Sequence, residues 1–366
     1  APDGAVWLGS DAHFLIRVSP DLATATRVCH LPAEHPVTAL GTTADGRLKA
    51  AALAAAKARP ELTEIYFVAC GGSYALMLPN QYAVDRHAKT IAGHALNAAE
   101  FLARNPARLG PSSAVILCSH SGTTQETLEA ARFARSKGAL TIALTNLPGS
   151  PLDQAVEFPV YYTHAPKTFA LDHSAAVMAR LTFGIMGVRE GNPLAQKVEK
   201  ALTALPALID TAIAAHTDRI ATFAEAMKRE PVIYTMGAGA NYATAYSYAI
   251  CIFQEMQWIH SAGIHAGEYF HGPFEITDFD VPFIVLRGLG ASRKSDDRGL
   301  AFVTKYSQRV TTLCAEELGL GVLDAEVVEH VEHMAFGTRL RVYCDKLADS
   351  RGHPLTVRRY MWKMEY

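Results

Sequence analysis

Residues 64–77 read EIYFVACGGSYALM, and residues 231–249 read PVIYTMGAGANYATAYSYA. Each passes from a strand-length apolar run, through a glycine turn and an aromatic, into small residues. β-Branched and aromatic side chains favour the strand, glycine permits the turn and alanine favours the helix that follows. With Gly239 set on Gly72, the two copies lie 167 residues apart. That period is too long for a solenoid and points to a duplicated domain.

The same plan continues outward from both copies. After the first come an apolar run AVILCS (114–119), a polar loop HSGTTQET, a helical pattern over 125–136 and the run LTIALT (140–145). After the second come VPFIVLRG (281–288) and RVTTLC (309–314). An Ala-rich helical stretch, 46–58, leads into the first copy, and a long helical stretch, 194–229, bridges the two. Apolar strands alternating with helices predict an α/β fold with parallel sheets. The expected architecture is two tandem doubly wound sheets, each a flavodoxin-like αβα sandwich. Residues 5–32 hold β-like runs with a turn at Ser19-Pro20-Asp21. The domain reading is therefore a β-like extension over 1–43, a first unit over 44–193, and a linker helix, second unit and tail over 194–366.

Bulk properties narrow the function. The 366 residues carry 34 basic and 36 acidic side chains, a net charge of −2, which gives no electrostatic footprint for nucleic acid. No apolar stretch approaches the roughly 20 residues that span a bilayer. The opening APDGAVWLGS has neither the basic nor the apolar region of a secretion signal. The six cysteines, at 29, 70, 118, 251, 314 and 344, show no CxxC spacing. Cys70, Cys118, Cys251 and Cys314 sit in apolar surroundings and read as small core residues, in keeping with a reducing cytoplasm.

Two loops follow strands of the first half, where open α/β sheets bind ligands. Ser119-His120-Ser121-Gly122-Thr123-Thr124 places four hydroxyls and a glycine just before a helix. A helix start offers unpaired N–H groups and partial positive charge, so the loop suits a phosphate monoester. It lacks the GxxxxGK[ST] of a P-loop. The bland alternative is a simple helix cap, which needs one hydroxyl rather than four. Cys70-Gly71-Gly72-Ser73 offers a second wall. The matching loop of the second half, Arg287-Gly288-Leu289-Gly290, has no hydroxyl cluster, so the duplication is functionally lopsided.

Residues 251–278, CIFQEMQWIHSAGIHAGEYFHGPFEITD, interrupt an apolar pattern with acids and histidines. Glu255 is the single carboxylate of a mostly apolar helix over 242–260. It lies either on a narrow wet stripe or in an interior where an unpaired carboxylate costs several kcal/mol, about the price of an unsatisfied buried charge. His271 precedes Gly272-Pro273, where a helix stops. His260 and His265 are five apart, which does not put both on one helix face, so a metal site is not expected. Glu268 either positions a substrate or caps His271.

CGGSY and SHSGTT together resemble the sugar-isomerase (SIS) domain. EMQWIHSAGIHAGEYFHGP resembles the isomerase half of glucosamine-6-phosphate synthase. The chain is more similar still to deglycases of that superfamily, which act on phosphorylated Amadori compounds such as fructoselysine 6-phosphate and fructose-asparagine 6-phosphate. The resemblance covers residues 44–366, including the tail HPLTVRRYMWKMEY. It implies a phosphate held by Gly72, Ser73, Ser119, His120, Ser121 and Thr124, with His120 standing where the synthase has Gln. It implies Glu255 as the carboxylate that moves the C1–C2 proton and His271 as the group handling the sugar oxygen, reaching in from the neighbouring subunit of a homodimer. Glu268 and Arg359 are further substrate contacts on this reading, with Arg359 or Lys363 standing near the place where the synthase's tail carries a lysine, and no cofactor is needed. Two departures from the synthase argue against amination. Its ELKHGP is EYFHGP here, with Phe270 in place of lysine, and no glutaminase domain stands ahead of it in this sequence. Deglycation is the expected reaction, with aldose–ketose phosphate isomerisation as the alternative. A sugar-phosphate sensor would need a helix-turn-helix that the first residues do not offer.

Overall fold

The computed structural model describes residues 49–364, together with the backbone of three earlier strands. Those strands, β1 (Val6–Gly9), β2 (Phe14–Val18) and β3 (Ala25–His30), form an antiparallel sheet in that order. The turn expected at residues 19–21, and the beginning of the Ala-rich helix, lie outside the described residues. The helix itself, α1, is seen over 49–57.

The first parallel sheet contains β4 (Glu64–Ala69), β5 (Ala92–Asn97), β6 (Ser113–Cys118), β7 (Leu140–Thr145) and β8 (Phe158–Tyr161), ordered β5-β4-β6-β7-β8. The second holds β9 (Tyr234–Gly237), β10 (Gly263–His265), β11 (Phe283–Arg287) and β12 (Val310–Cys314), ordered β10-β9-β11-β12. The four shared strands follow one order. Their register also agrees: Val68 pairs with Leu117 and Met236 with Val285, each a shift of 168 residues. The sequence alignment is thus corrected by one. Gly71 and Gly239, not Gly72 and Gly239, share the left-handed φ of +56° that the turn requires, and Tyr74 falls on Tyr242.

β5, β8 and β10 were not expected from the sequence. β5 is largely half-exposed, β8 contains Pro159 and β10 has three residues, so none carries the continuous apolar run of a central strand. The predicted bridge over 194–229 is two helices, α7 (Leu194–Ala215) and α8 (Thr217–Met227), which meet at His216.

Helices α2 (Gly71–His87), α6 (Ser174–Glu190), α7, α8 and α11 (Glu332–Arg351) fill the space between the sheets. Strand side chains alternate between faces. Ile116 and Leu286 therefore enter one continuous core with Phe183 and Phe336. Val115 packs outward in a cluster with α3 (Ala98–Arg104), α4 (Gln125–Ser136) and α5 (Pro151–Ala155), and Val285 packs on the far face of the second sheet. Helices cover both faces of the first sheet, and the carboxyl ends of β4 and β6 open onto a cleft beside the segment that carries Glu255.

Candidate active site

The cleft has a volume of about 1800 Å³, and residues from both halves line it: Gly72, Ser73, His120, Ser121 and Thr124 from the first, Glu255 from the second. Thr124 stands at the N-cap of α4, yet its hydroxyl makes no cap bond. It shares a hydrogen bond with Ser119 Oγ at 2.9 Å, while Ser121 and Thr123 hydroxyls pair at 2.7 Å. The simple capping reading therefore does not hold. The hydroxyls face one another around the helix start, and Ser121 and Thr124 face the cleft. Ser119 is buried, and its hydroxyl serves by holding Thr124. Gly122 is required here: its φ is +64°, and a Cβ would stand 2.2 Å from Ser150 Oγ. The start of α2 opens on the same cleft through Gly71, Gly72 and Ser73, so two helix N-termini converge where an anion would sit.

His120 Nδ1 and the Tyr162 hydroxyl lie 3.1 Å apart, and His120 packs edge-on to His164 at 4.8 Å between centroids. Burial lowers the pKa of both histidines, so they are neutral at pH 7. The cradle thus offers hydrogen bonds and helix dipoles rather than fixed cations.

Cys70, Cys118 and Cys251 also line the cleft; Cys118 is at the same time the buried core residue expected from the sequence, whereas Cys70 and Cys251 are only partly buried. Burial pushes the thiols of Cys118 and Cys251 up to about 11. As neutral thiols they are poor nucleophiles. A Cβ on Gly72 would touch Cys251 Sγ at 3.4 Å, so the glycine keeps the floor of the cleft open.

Glu255 is presented by unusual backbone. Helix α9 (Asn241–Ser247) runs into a π-helical turn, Tyr248–Met256. Such widened turns recur at functional sites because they re-aim side chains. Just beyond, Trp258 adopts φ +54°, a conformation a bulky residue rarely holds without compensation. Glu255 is neither sunk in the core nor out in bulk water: its side chain is 23% exposed, and Oε1 meets Arg358 Nη2 at 2.7 Å. Arg358 is almost wholly buried, held by the carbonyls of Leu355 and Val357 and stacked over Trp362.

Sequence reasoning chose Arg359 from the doublet and missed Arg358. Arg359 does line the cleft, stacked 4.3 Å over Trp258, but it is exposed and makes no contact with Glu255. The signal was the Arg-Arg pair itself, which does not tell which of two neighbours turns inward. Glu268 and His271 lie on an exposed turn, linked by a backbone bond of 2.9 Å, and neither lines this cleft within one chain. His260 lines the cleft, whereas His265 belongs to β10. Among the described residues, one group has metal-ligand composition and sits elsewhere: His87, Glu329 and His330. The two imidazoles share a 2.7 Å contact and Glu329 accepts from Arg86, while the buried His330 Nδ1 is left without a hydrogen-bond partner.

A family model for the SIS domain matches residues 61–187. Fructosamine deglycase FrlB of Bacillus subtilis is 47% identical over 305 residues, which cover 83% of this chain and 93% of that protein. Fructoselysine 6-phosphate deglycase of Escherichia coli is 29% identical over 72% of this chain and 76% of its own length. A crystal structure from Bacillus subtilis, described as that of a phosphosugar isomerase, superposes with a TM-score of 0.85 at 44% identity. It covers 89% of this chain and is itself covered completely.

Proposed function

The chain belongs to the SIS-domain family and to its fructosamine deglycase branch, and from that premise we propose that it cleaves a phosphorylated Amadori compound into an aldose 6-phosphate and a free amine. One observation carries the reading: a hydroxyl cradle at two helix N-termini and the Glu255 carboxylate, held by Arg358, line a single cleft. The cradle fits the phosphate end of an open-chain ketosamine, R–NH–CH2–CO–. Glu255 removes a C1 proton to give the enaminol and returns a proton at C2 to give the imine. Water adds to the imine carbon, and the C–N bond breaks to release the amine. A positioned base or acid contributes about 10²–10⁴-fold to each such step, and the phosphate grip fixes geometry away from the reacting carbons.

Arg358 holds Glu255 in place. His271 supplies the acid for the sugar oxygen from the adjacent subunit of a homodimer, a reading that fits its exposure and its distance from the cleft of its own chain. The two parallel sheets are tandem SIS units, 44–193 and 194–366, the first gripping phosphate and the second moving protons. A cytoplasmic setting belongs to the same proposal, supported by five free thiols among the described residues.

A panel of phosphorylated Amadori compounds, assayed for glucose 6-phosphate and amine together, tests the proposal. Equimolar release of both is expected. Interconversion of aldose and ketose phosphates without amine release would favour a plain isomerase instead.

A further inference from the structure

A shift of 168 residues lays the cradle of the first half onto the second. Ser73 falls on Asn241, Ser121 on Leu289, Gly122 on Gly290 and Thr123 on Ala291. The strand register keeps that shift on both sides, so these are equivalent places in space and not only in sequence. The helix after the second loop is α10 (Arg293–Tyr306), the counterpart of α4.

The second cradle is full. Glu332, 1% exposed, accepts the Leu289 N–H at 2.7 Å through one oxygen and the Asn241 side-chain amide at 2.7 Å through the other. Glu329, also buried, accepts the Ala291 N–H at 3.0 Å. The loop is shaped around these acids. A Cβ on Gly288 would lie 2.3 Å from Glu332 Oε1, and one on Gly290 would lie 2.4 Å from Glu329 Cβ. Buried carboxylates persist only where charge-assisted bonds replace water; of the residues donating here, Asn241 and Leu289 are the counterparts of Ser73 and Ser121, which line the substrate cleft, and Ala291 is the counterpart of Thr123 in the same loop.

We infer that the second half retains an oxyanion-binding cradle of the same build, and that Glu329 and Glu332 are its permanent internal ligands, standing where the first half would hold a phosphate. The duplication is lopsided because one copy has been plugged from within. The plug also ties the halves together. Tyr82 and Arg86 of α2 donate to Glu329 at 3.0–3.2 Å, and the other end of α2 opens on the substrate cleft. The phosphate reading of the first loop names the anion, whereas the contacts of Glu329 and Glu332 stand without it.

The test is to remove the plug and offer inorganic phosphate. Each bound site raises thermal stability with the logarithm of ligand concentration, so the slope of midpoint against phosphate reports sites. The full-length Glu329→Ala/Glu332→Ala variant should unfold at lower temperature than the parent in phosphate-free buffer. It should then regain stability with phosphate along a slope about twice the parent's, one site against two in that linkage, and not with chloride at matched ionic strength. If the double variant does not fold, Glu329→Ala alone, which frees the Ala291 N–H, should still exceed the parent's slope. A parent without any phosphate response beside a responsive variant would sink the first-loop reading and leave this one standing. Equal slopes in parent and variant overturn the inference.

Discussion

Glu255 and Arg358 form a pair whose value lies in geometry more than in stability. The carboxylate is partly open to the cleft, and the guanidinium that meets it at 2.7 Å is almost wholly buried, so the acid is fixed from behind while its second oxygen stays available. Arg358 is a positioning residue on this account. Arg358→Ala should lower kcat on the order of 10²-fold, the usual cost of misplacing a reacting group by an ångström. KM should move much less, since the phosphate grip is untouched, and Arg358→Lys should recover part of the loss. Steady-state kinetics of the three proteins check this; a variant that raises KM while sparing kcat would assign Arg358 to substrate binding instead. The sequence showed the carboxylate as an intruder in an apolar helix but concealed its partner, 103 residues later in the tail, because no local pattern links the two.

Two elements do most of the work, the loop before α4 and the widened turn of Tyr248–Met256. In the loop, the Thr124 hydroxyl pairs with that of Ser119 and faces the cleft instead of capping its own helix. Thr124→Val keeps the shape and removes that group. It should raise KM for the phosphorylated substrate about tenfold or more, in line with a hydrogen bond to a charged group of roughly 1.5–3 kcal/mol, with little change in kcat. An unphosphorylated ketosamine should show no such difference, and an equal loss for both substrates would mean that Thr124 does not touch phosphate. The loop was legible beforehand because clustered hydroxyls ahead of a helix have few other uses. The π-helical turn was not, since its apolar residues Ala249, Ile250, Ile252 and Phe253 suit an α-helix equally well and only the packing around them decides. The central strands likewise announced themselves through buried runs such as Ile65–Ala69, while edge strand β8, with Pro159 in it, did not.

At the scale of the whole molecule, the halves divide the labour: the first offers the oxyanion cradle, the second the carboxylate, and their shared core holds the two in one cleft. On the proposed mechanism His271 extends the division to a second copy of the chain. Mixing Glu255→Gln with His271→Ala subunits should therefore restore activity from two inactive proteins, to about a quarter of the parent's, because half of randomly paired dimers hold one intact site of two. No recovery after exchange of subunits would place His271 outside the reaction or within its own chain's site. The proposed mechanism makes the cleft's grip and its chemistry separable, with Glu255 moving the C1 proton. Its most direct test is solvent deuterium exchange at C1 of the bound ketosamine phosphate in Glu255→Gln. The expected result is substrate binding within a few-fold of the parent, as a neutral isostere should allow, with exchange and amine release both abolished; C1 exchange persisting at the parent's rate would contradict it.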